Sequence, residues 1–154
     1  MNLPRYPIFT DADDDELVFK FVSEGPRDDV LKSVVFTPTA LRNLYNLGFG
    51  DVHPETGEID DLAVTDNGDA PLVLSTVSAI VLEFTSRHPE AMVFATGSTP
   101  ARTRLYRMGL NSNWQEVSAT FDVFGLRDSV WESFRRGVEY EAFYVKRKKS
   151  NFKP

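Results

Sequence analysis

Residues 91–109 read AMVFATGSTPARTRLYRMG, and this stretch decides the expected fold. An apolar run at its start predicts a buried strand over residues 91–96. Small residues then turn the chain, and Pro100 at the first helical position predicts a helix over residues 99–108. Gly109 is expected to end that helix. The stretch therefore predicts a strand that leads through a tight turn into a helix.

Hydrophobic periodicity predicts the other elements. Apolar residues recur at helical spacing over residues 70–87, which indicates a central, buried helix with Asp69 as its N-cap. Residues 111–118 are compatible with a short helix or a loop, and residues 130–134 with a helical turn. Alternating and apolar runs predict strands over residues 17–22, 30–37, 43–52, 58–65, 119–124 and 140–146.

The element order is ββββ-α-β-α-β-β, which is typical of the α+β class. We expect one mixed, mostly antiparallel sheet of six to seven strands with two main helices. A chain of 154 residues is expected to form a single domain. Residues 1–15 are expected to be an irregular lead-in, and residues 147–154 a flexible basic tail.

Composition excludes several kinds of site. The chain has no cysteine, which rules out disulfides, thiolate zinc sites and a cysteine nucleophile. We find no signal peptide and no apolar segment near the ~20 residues that span a bilayer, so we expect a cytoplasmic protein without a membrane partner. The net charge of −6 argues against nucleic acid as a partner, despite the basic residues 146–149. We expect a small molecule or a protein, including a second copy of the chain, as the partner.

Two strings of residues resemble the GNAT superfamily of N-acetyltransferases. Residues 58–64, EIDDLAV, are similar to the strand before the superfamily's cofactor loop, and residues 101–110, ARTRLYRMGL, to its Leu-Tyr…Gly helix. The resemblance is direct over residues 58–112 and rests on element order elsewhere. The whole sequence also resembles an uncharacterised family of small bacterial proteins.

The resemblance implies transfer of an acyl group from acetyl-CoA to an amine. Tyr106 would be the general acid that protonates the departing thiolate, and Glu58 or Asp60 the base. A tyrosine that only packs in the core is the alternative for Tyr106. The resemblance also implies a V-shaped gap for the cofactor between the strands over residues 58–65 and 91–96. The implied cofactor contacts are Val64, Asn67, Gly68 and Ala70.

The cofactor loop departs from the superfamily's pattern of spaced glycines. Residues 66–71 read DNGDAP, with one glycine, two carboxylates and a proline that lacks an N–H donor. The superfamily's first helices have no counterpart in this sequence. A non-enzymatic module that binds a ligand or a protein through residues 97–107 is therefore the alternative function.

The turn and helix over residues 97–107 form a candidate anion site. Free N–H groups at a helix N-terminus and arginine side chains both bind phosphate or carboxylate. Arginines that pair with the acidic residues 60–69, or face solvent, are the alternative. The candidate residues are Gly97, Ser98, Thr99, Arg102, Arg104 and Arg107.

Acidic residues cluster over residues 51–69, but their spacing does not match a calcium-binding loop. We interpret the cluster as a solvated hairpin, and we expect no metal. Gly48 and Gly50 share one face of their strand, which predicts either a bulge or the close approach of another group.

Overall fold

The computed structural model describes residues 4–10, 17–26, 28–60, 69–96 and 100–149, apart from the side chains of Asp60, Ala101 and Arg102. Three helices are present in this part of the chain: α1 (Ala70–Arg87), α2 (Pro100–Ser112) and α3 (Trp114–Thr120). The strands are β1 (Val18–Ser23), β2 (Val30–Pro38), β3 (Leu44–Val52), β4 (Ile59–Asp60), β5 (Met92–Ala95), β6 (Phe121–Arg127), β7 (Val130–Ser133) and β8 (Ala142–Arg147).

The strands form one mixed sheet in the order β1-β2-β3-β5-β8-β6-β7, and the short β4 pairs with β3. Every described pairing is antiparallel except that of β3 with β5. A parallel pair needs a crossover connection, and α1 lies in the segment that joins these two strands. The expected α+β fold, with its mixed and mostly antiparallel sheet, is confirmed.

The parallel pairing of β3 with β5 is short. It joins residues 44–46 to residues 92–94, and Asn46 and Phe94 are its last members. The strand beside β5 is therefore β3, and not the strand expected over residues 58–65. The hairpin after β3 turns the chain back, so that β4 pairs antiparallel with the far end of β3. Residues 61–65 lie outside the described residues.

All three helices pack on one face of the sheet, which we call the inner face. Two hydrophobic clusters join the helices to this face: the first includes residues of β1, β2, β3 and β5, and the second residues of β6 and β8. In the first cluster the rings of Phe36 and Phe84 stack with their centroids 3.9 Å apart. In the second, Phe121 and Phe143 pack with Val117 of α3. The opposite, outer face carries the alternate residues of each strand, and no helix in the described chain covers it.

Gly109 does not end α2, contrary to expectation, and the helix continues to Ser112. A Cβ atom on Gly109 would lie 3.1 Å from Cδ2 of Leu74, so the residue allows close packing of α2 against α1. Thr99, at which the helix was expected to begin, lies outside the described residues.

Two further elements differ from expectation. Ala119 and Thr120 complete α3, so the strand expected over residues 119–124 begins at Phe121. Residues 130–133 form β7 instead of a helical turn, because they pair with β6 across a two-residue turn. Asp128 and Ser129 of that turn both have positive φ, as tight hairpin turns require.

Gly125 on the inner face of β6 gives a test of this packing. A Cβ atom there would lie 2.4 Å from the ring of Tyr140, whose hydroxyl is held by hydrogen bonds to Glu132 and Arg135. We expect Gly125→Ala to lower the free energy of unfolding in urea by about 1–3 kcal/mol.

Gly48→Ala is the matched control, because its Cβ would meet only the carbonyl oxygen of Val35, at 3.8 Å. This substitution is expected to leave stability unchanged or to raise it by up to about 1 kcal/mol. Equal losses in the two variants would contradict the packing described for Tyr140.

Candidate functional site

An apolar cavity of about 90 Å³ lies between the inner face and the helices. Residues of α1, α2 and α3 form one wall, and residues of β3, β5, β6 and β8 form the other. Most of the lining is aliphatic, with the hydroxyl-bearing side chains of Ser78 and Tyr106 among it. The lining includes Leu47, Val77, Val81, Val93, Ala95, Tyr106, Gly109 and Leu110.

The cavity lies where the two parallel strands stop pairing. Leu47 follows Asn46, the last paired residue of β3, and Ala95 follows Phe94, the last paired residue of β5. Both Leu47 and Ala95 line the cavity. The divergence of β3 from β5 therefore coincides with the space beneath the helices.

Tyr106 of α2 is half-buried and packs against both hydrophobic clusters. Its side chain is consequently part of the core and also part of the cavity wall. This position serves packing, and it places a phenol group beside the point where β3 and β5 diverge.

The two carboxylates expected as general bases lie away from this cavity. Asp60 is paired in register with Asp51, which is four residues beyond Leu47 on β3. Four strand residues correspond to about 13 Å. Glu58 precedes β4 and is exposed. In the described part of the chain, neither residue is brought together with Tyr106.

Of the residues expected to contact a cofactor, Val64, Asn67 and Gly68 lie outside the described residues. Ala70 is described as the first residue of α1, and it is exposed. The N-terminus of α1 is therefore the described part of that expected site.

Asp69 is the N-cap residue of α1, as expected, but its side chain makes no capping hydrogen bond. Its carboxylate instead accepts hydrogen bonds from the hydroxyl groups of Tyr6 and Ser23, both at 2.5 Å. The backbone carbonyl of Asp69 accepts the first helical hydrogen bond, from Val73. Since Asp69 is only 9% exposed, these two hydroxyl groups satisfy a carboxylate that would otherwise be costly to bury.

Tyr6 lies at the centre of this buried polar group. Its hydroxyl also accepts a hydrogen bond from the backbone N–H of Glu24 at 3.1 Å, and its ring stacks on Phe21. Burial raises the pKa of Tyr6, and the hydrogen bond to the Asp69 carboxylate raises it further. The phenol therefore stays protonated in the folded protein at a higher pH than in the unfolded chain.

A second buried polar pair lies on the inner face at the far end of β3. The ammonium of Lys32 and the carboxylate of Asp51 are 2.5 Å apart, with side chains only 7% and 14% exposed. The Lys32 nitrogen also lies 5.8 Å from the ring centroid of Phe49. This pair was not predicted, although Lys32 alternates in phase with the buried residues Val34 and Phe36, and a lysine in phase with core residues is a usable signal.

The candidate anion site is only partly described. Gly97, Ser98 and Thr99 lie outside the described residues, as does the side chain of Arg102. Arg104 is exposed. Arg107 forms an ion pair with Glu139, at 3.2 Å, and this partner lies in neither the acidic hairpin nor an anion pocket. The described arginines therefore do not converge on one point.

Within the described ranges, no three His, Asp or Glu side chains are close enough together to hold a metal ion. Nor does any described helix combine the length and the apolar character needed to cross a bilayer.

Comparison with protein families gives one match, to DUF6934, which is described as a family of unknown function. The match covers residues 2–148. The chain belongs to the DUF6934 family. Neither curated proteins nor solved structures give a match. Membership in DUF6934 therefore places the chain in a family without assigning it a chemistry.

The Tyr6–Asp69 hydrogen bond makes stability depend on alkaline pH. Because the pKa of Tyr6 is raised above 10.0, its contribution is complete below the unfolded pKa and is lost as pH rises through the folded pKa. We expect Tyr6→Phe to lower the free energy of unfolding at neutral pH by about 1–2 kcal/mol and to reduce its decline at alkaline pH. Urea titrations across that pH range measure both effects.

Tyr45→Phe is the control, since its hydroxyl has no hydrogen bond within the described residues while its ring packs on Phe84. An alkaline decline that is as steep in Tyr6→Phe as in the original protein would contradict this account.

Proposed function

We propose that this protein binds a short-chain acyl-CoA at the cavity and transfers the acyl group to an amine. The observation that carries the proposal is the position of Tyr106 in an apolar cavity where the parallel strands β3 and β5 stop pairing. The resemblance to the N-acetyltransferases implies a gap beside the strand over residues 91–96, although the strand that it implies on the other side of the gap is the one over residues 58–65 and not β3.

The edges of the two strands suit an extended, amide-containing chain. Beyond Asn46 and Phe94, β3 and β5 no longer pair with each other, and within the described residues the next pairing on that side of β3 is that of Asp51 with Asp60. The amides of a pantetheine arm can bind along the edge of a strand as an added strand does, and a point where neighbouring strands diverge offers such an edge. The cavity beside the gap has room for a short acyl group.

Tyr106 would handle the proton in the transfer. The amine nitrogen attacks the thioester carbonyl carbon, a C–N bond forms, and the C–S bond breaks. The departing thiolate takes the proton of the Tyr106 hydroxyl, and the nitrogen, which carries one proton too many, returns a proton to the phenolate. Tyr106 thus ends the cycle unchanged, as a general acid and then a base.

A second candidate function is binding of a small apolar ligand without transfer. The N-terminus of α1 favours it, because Pro71 lacks an N–H donor and Asp69 places a carboxylate at the N-cap position. A negative charge there opposes the diphosphate of CoA. Both functions use the same cavity, and they differ in whether a thioester is consumed.

Calorimetric titration with acetyl-CoA tests the binding step. We expect saturable heat, and we expect Val77→Phe to reduce the affinity at least tenfold, because Val77 lines the cavity and a phenyl ring would fill it. Val130→Phe, at a site that is 61% exposed on β7, is the matched control and should bind as the original protein does. The absence of heat at millimolar acetyl-CoA would refute the acyltransferase proposal.

Release of free CoA in the presence of a panel of primary amines tests the transfer step. We expect Tyr106→Phe to keep its affinity for acetyl-CoA and to lower the rate of CoA release by 10²–10⁴-fold, the range typical of general acid catalysis. Binding without CoA release in the original protein would favour the second candidate function.

A further inference from the structure

The outer face of the sheet is apolar over most of its width. Its side chains alternate with those that pack under the helices, and they belong to neither hydrophobic cluster. Most are half-buried although they sit on interior strands of the sheet. The apolar members of the outer face are Val18, Val22, Leu31, Val35, Leu44, Met92, Phe94, Phe124, Leu126, Trp131 and Tyr144.

An aromatic ridge crosses this face. Phe94, Tyr144 and Phe124 are paired in register on the neighbouring strands β5, β8 and β6. Phe124 stacks on Tyr144 at 4.5 Å, and Trp131 of β7 contacts the edges of Tyr144 and Phe94 at 5.0 and 5.9 Å. Trp131 is nevertheless 39% exposed. These contacts position the four rings, and they leave part of the ridge facing outward.

A floor of small residues lies beside the ridge. Gly48 and Gly50 occupy outer positions on β3, and Val35 and Ser33, respectively, are their partners in register on β2. Gly50 and Ser33 are buried, so Gly48 and Val35 are the accessible part of this floor. A Cβ atom on Gly48 would meet only the carbonyl oxygen of Val35, at 3.8 Å, so the space above the residue is open. The outer face is therefore raised over β5, β8, β6 and β7, where the ridge lies, and lowered over β2 and β3, where the floor lies.

We propose that the outer face is the surface on which a second copy of this chain packs. Six spacings between seven strands, and six residues from Leu44 to Gly50, give a face of about 29 by 20 Å, or roughly 600 Å² per copy. Two such faces bury roughly 1,200 Å², which reaches the size of specific protein interfaces. An apolar patch of this extent lies at the upper end of the range for single chains, and patches of that size are often functional.

The charges of the face favour a second copy over nucleic acid. The outer positions that line up with the ridge and floor carry Lys20, Lys146 and Asp122, and Lys146 and Asp122 are partners in register within the same sheet. So few cations would neutralise few phosphates, whereas aromatic and methionine residues with little charge are typical of protein interface cores. Closed two-fold dimers are the commonest assemblies of identical chains. The proposal does not rest on acyl transfer, because the cavity lies on the inner face.

Sedimentation equilibrium of the original protein and two charge variants tests the proposal. We expect a dimer whose dissociation constant rises at least about 30-fold in Trp131→Lys, because tryptophan is enriched among the residues that carry most of the binding energy of an interface. Met108→Lys is the matched control, because Met108 is 45% exposed on α2, away from the outer face. Its dissociation constant should be unchanged.

Gly48→Leu provides a second variant that does not disturb the aromatic ridge. Because its side chain would extend into open space, we expect an unfolding midpoint close to the original one and a weakened dimer. Emission of Trp131 in a Trp114→Phe background should shift to shorter wavelength as the protein concentration rises.

Several results would overturn the proposal. One is a monomer at every concentration. If the protein is a monomer and a single-stranded oligonucleotide quenches the emission of Trp131, nucleic acid and not a second copy occupies the face. Another is a dimer that Trp131→Lys and Gly48→Leu both leave intact, since it would use a different surface. A dimer lost equally in Met108→Lys would also count against the outer face.

Discussion

The three-residue parallel pairing of β3 with β5 is the constraint on which the rest of the structure depends. Two parallel strands cannot be joined by a hairpin, so the chain must cross from one end of the sheet to the other, and α1 makes most of that crossing. The crossing fixes α1 over the inner face. Because the pairing stops at Asn46 and Phe94, it also leaves the two strands free to diverge beneath α1 and α2. The cavity is thus a consequence of how little of the two strands is paired.

The placement of all the described helices on one face has a second consequence. Val93 and Phe143 are buried almost completely on the inner face, while Phe94 and Tyr144, the next residues along the same two strands, are only half-buried on the outer face. The same strands therefore contribute to a core covered by helices on one side and form an apolar surface on the other. A sheet that is apolar on both faces normally has both faces covered. The outer face is partly exposed because the described helices cover only the inner face, and not because its composition is unusual.

Local signals predicted the parts of the fold that depend on neighbouring residues in sequence. The bounds of α1 were predicted as found, because a proline at its start and His88-Pro89 at its end accompany a strong helical period. Features that depend on tertiary contacts were not predicted correctly from the sequence. Gly109 has the sequence pattern of a helix end, yet its lack of a side chain serves the contact with Leu74. Of the candidate site, the sequence identified Tyr106 but not the cavity around it, because Leu47, Val77 and Ala95 meet only after the crossover forms.

Asp69 shows why the acidic loop before α1 differs from a phosphate-binding loop. Its carboxylate lies at the N-cap position, where the partial positive charge of a helix favours an anion. The same carboxylate accepts hydrogen bonds from Tyr6, 63 residues away in sequence, and from Ser23, 46 residues away. It therefore joins the N-terminal segment, the end of β1 and the start of α1. A carboxylate with these two structural partners supplies, from within the chain, the negative charge that a bound phosphate would otherwise bring to this helix end. The departure from the glycine-rich pattern is thus linked to the packing of Tyr6, because the same carboxylate holds the Tyr6 hydroxyl group and occupies the N-cap position.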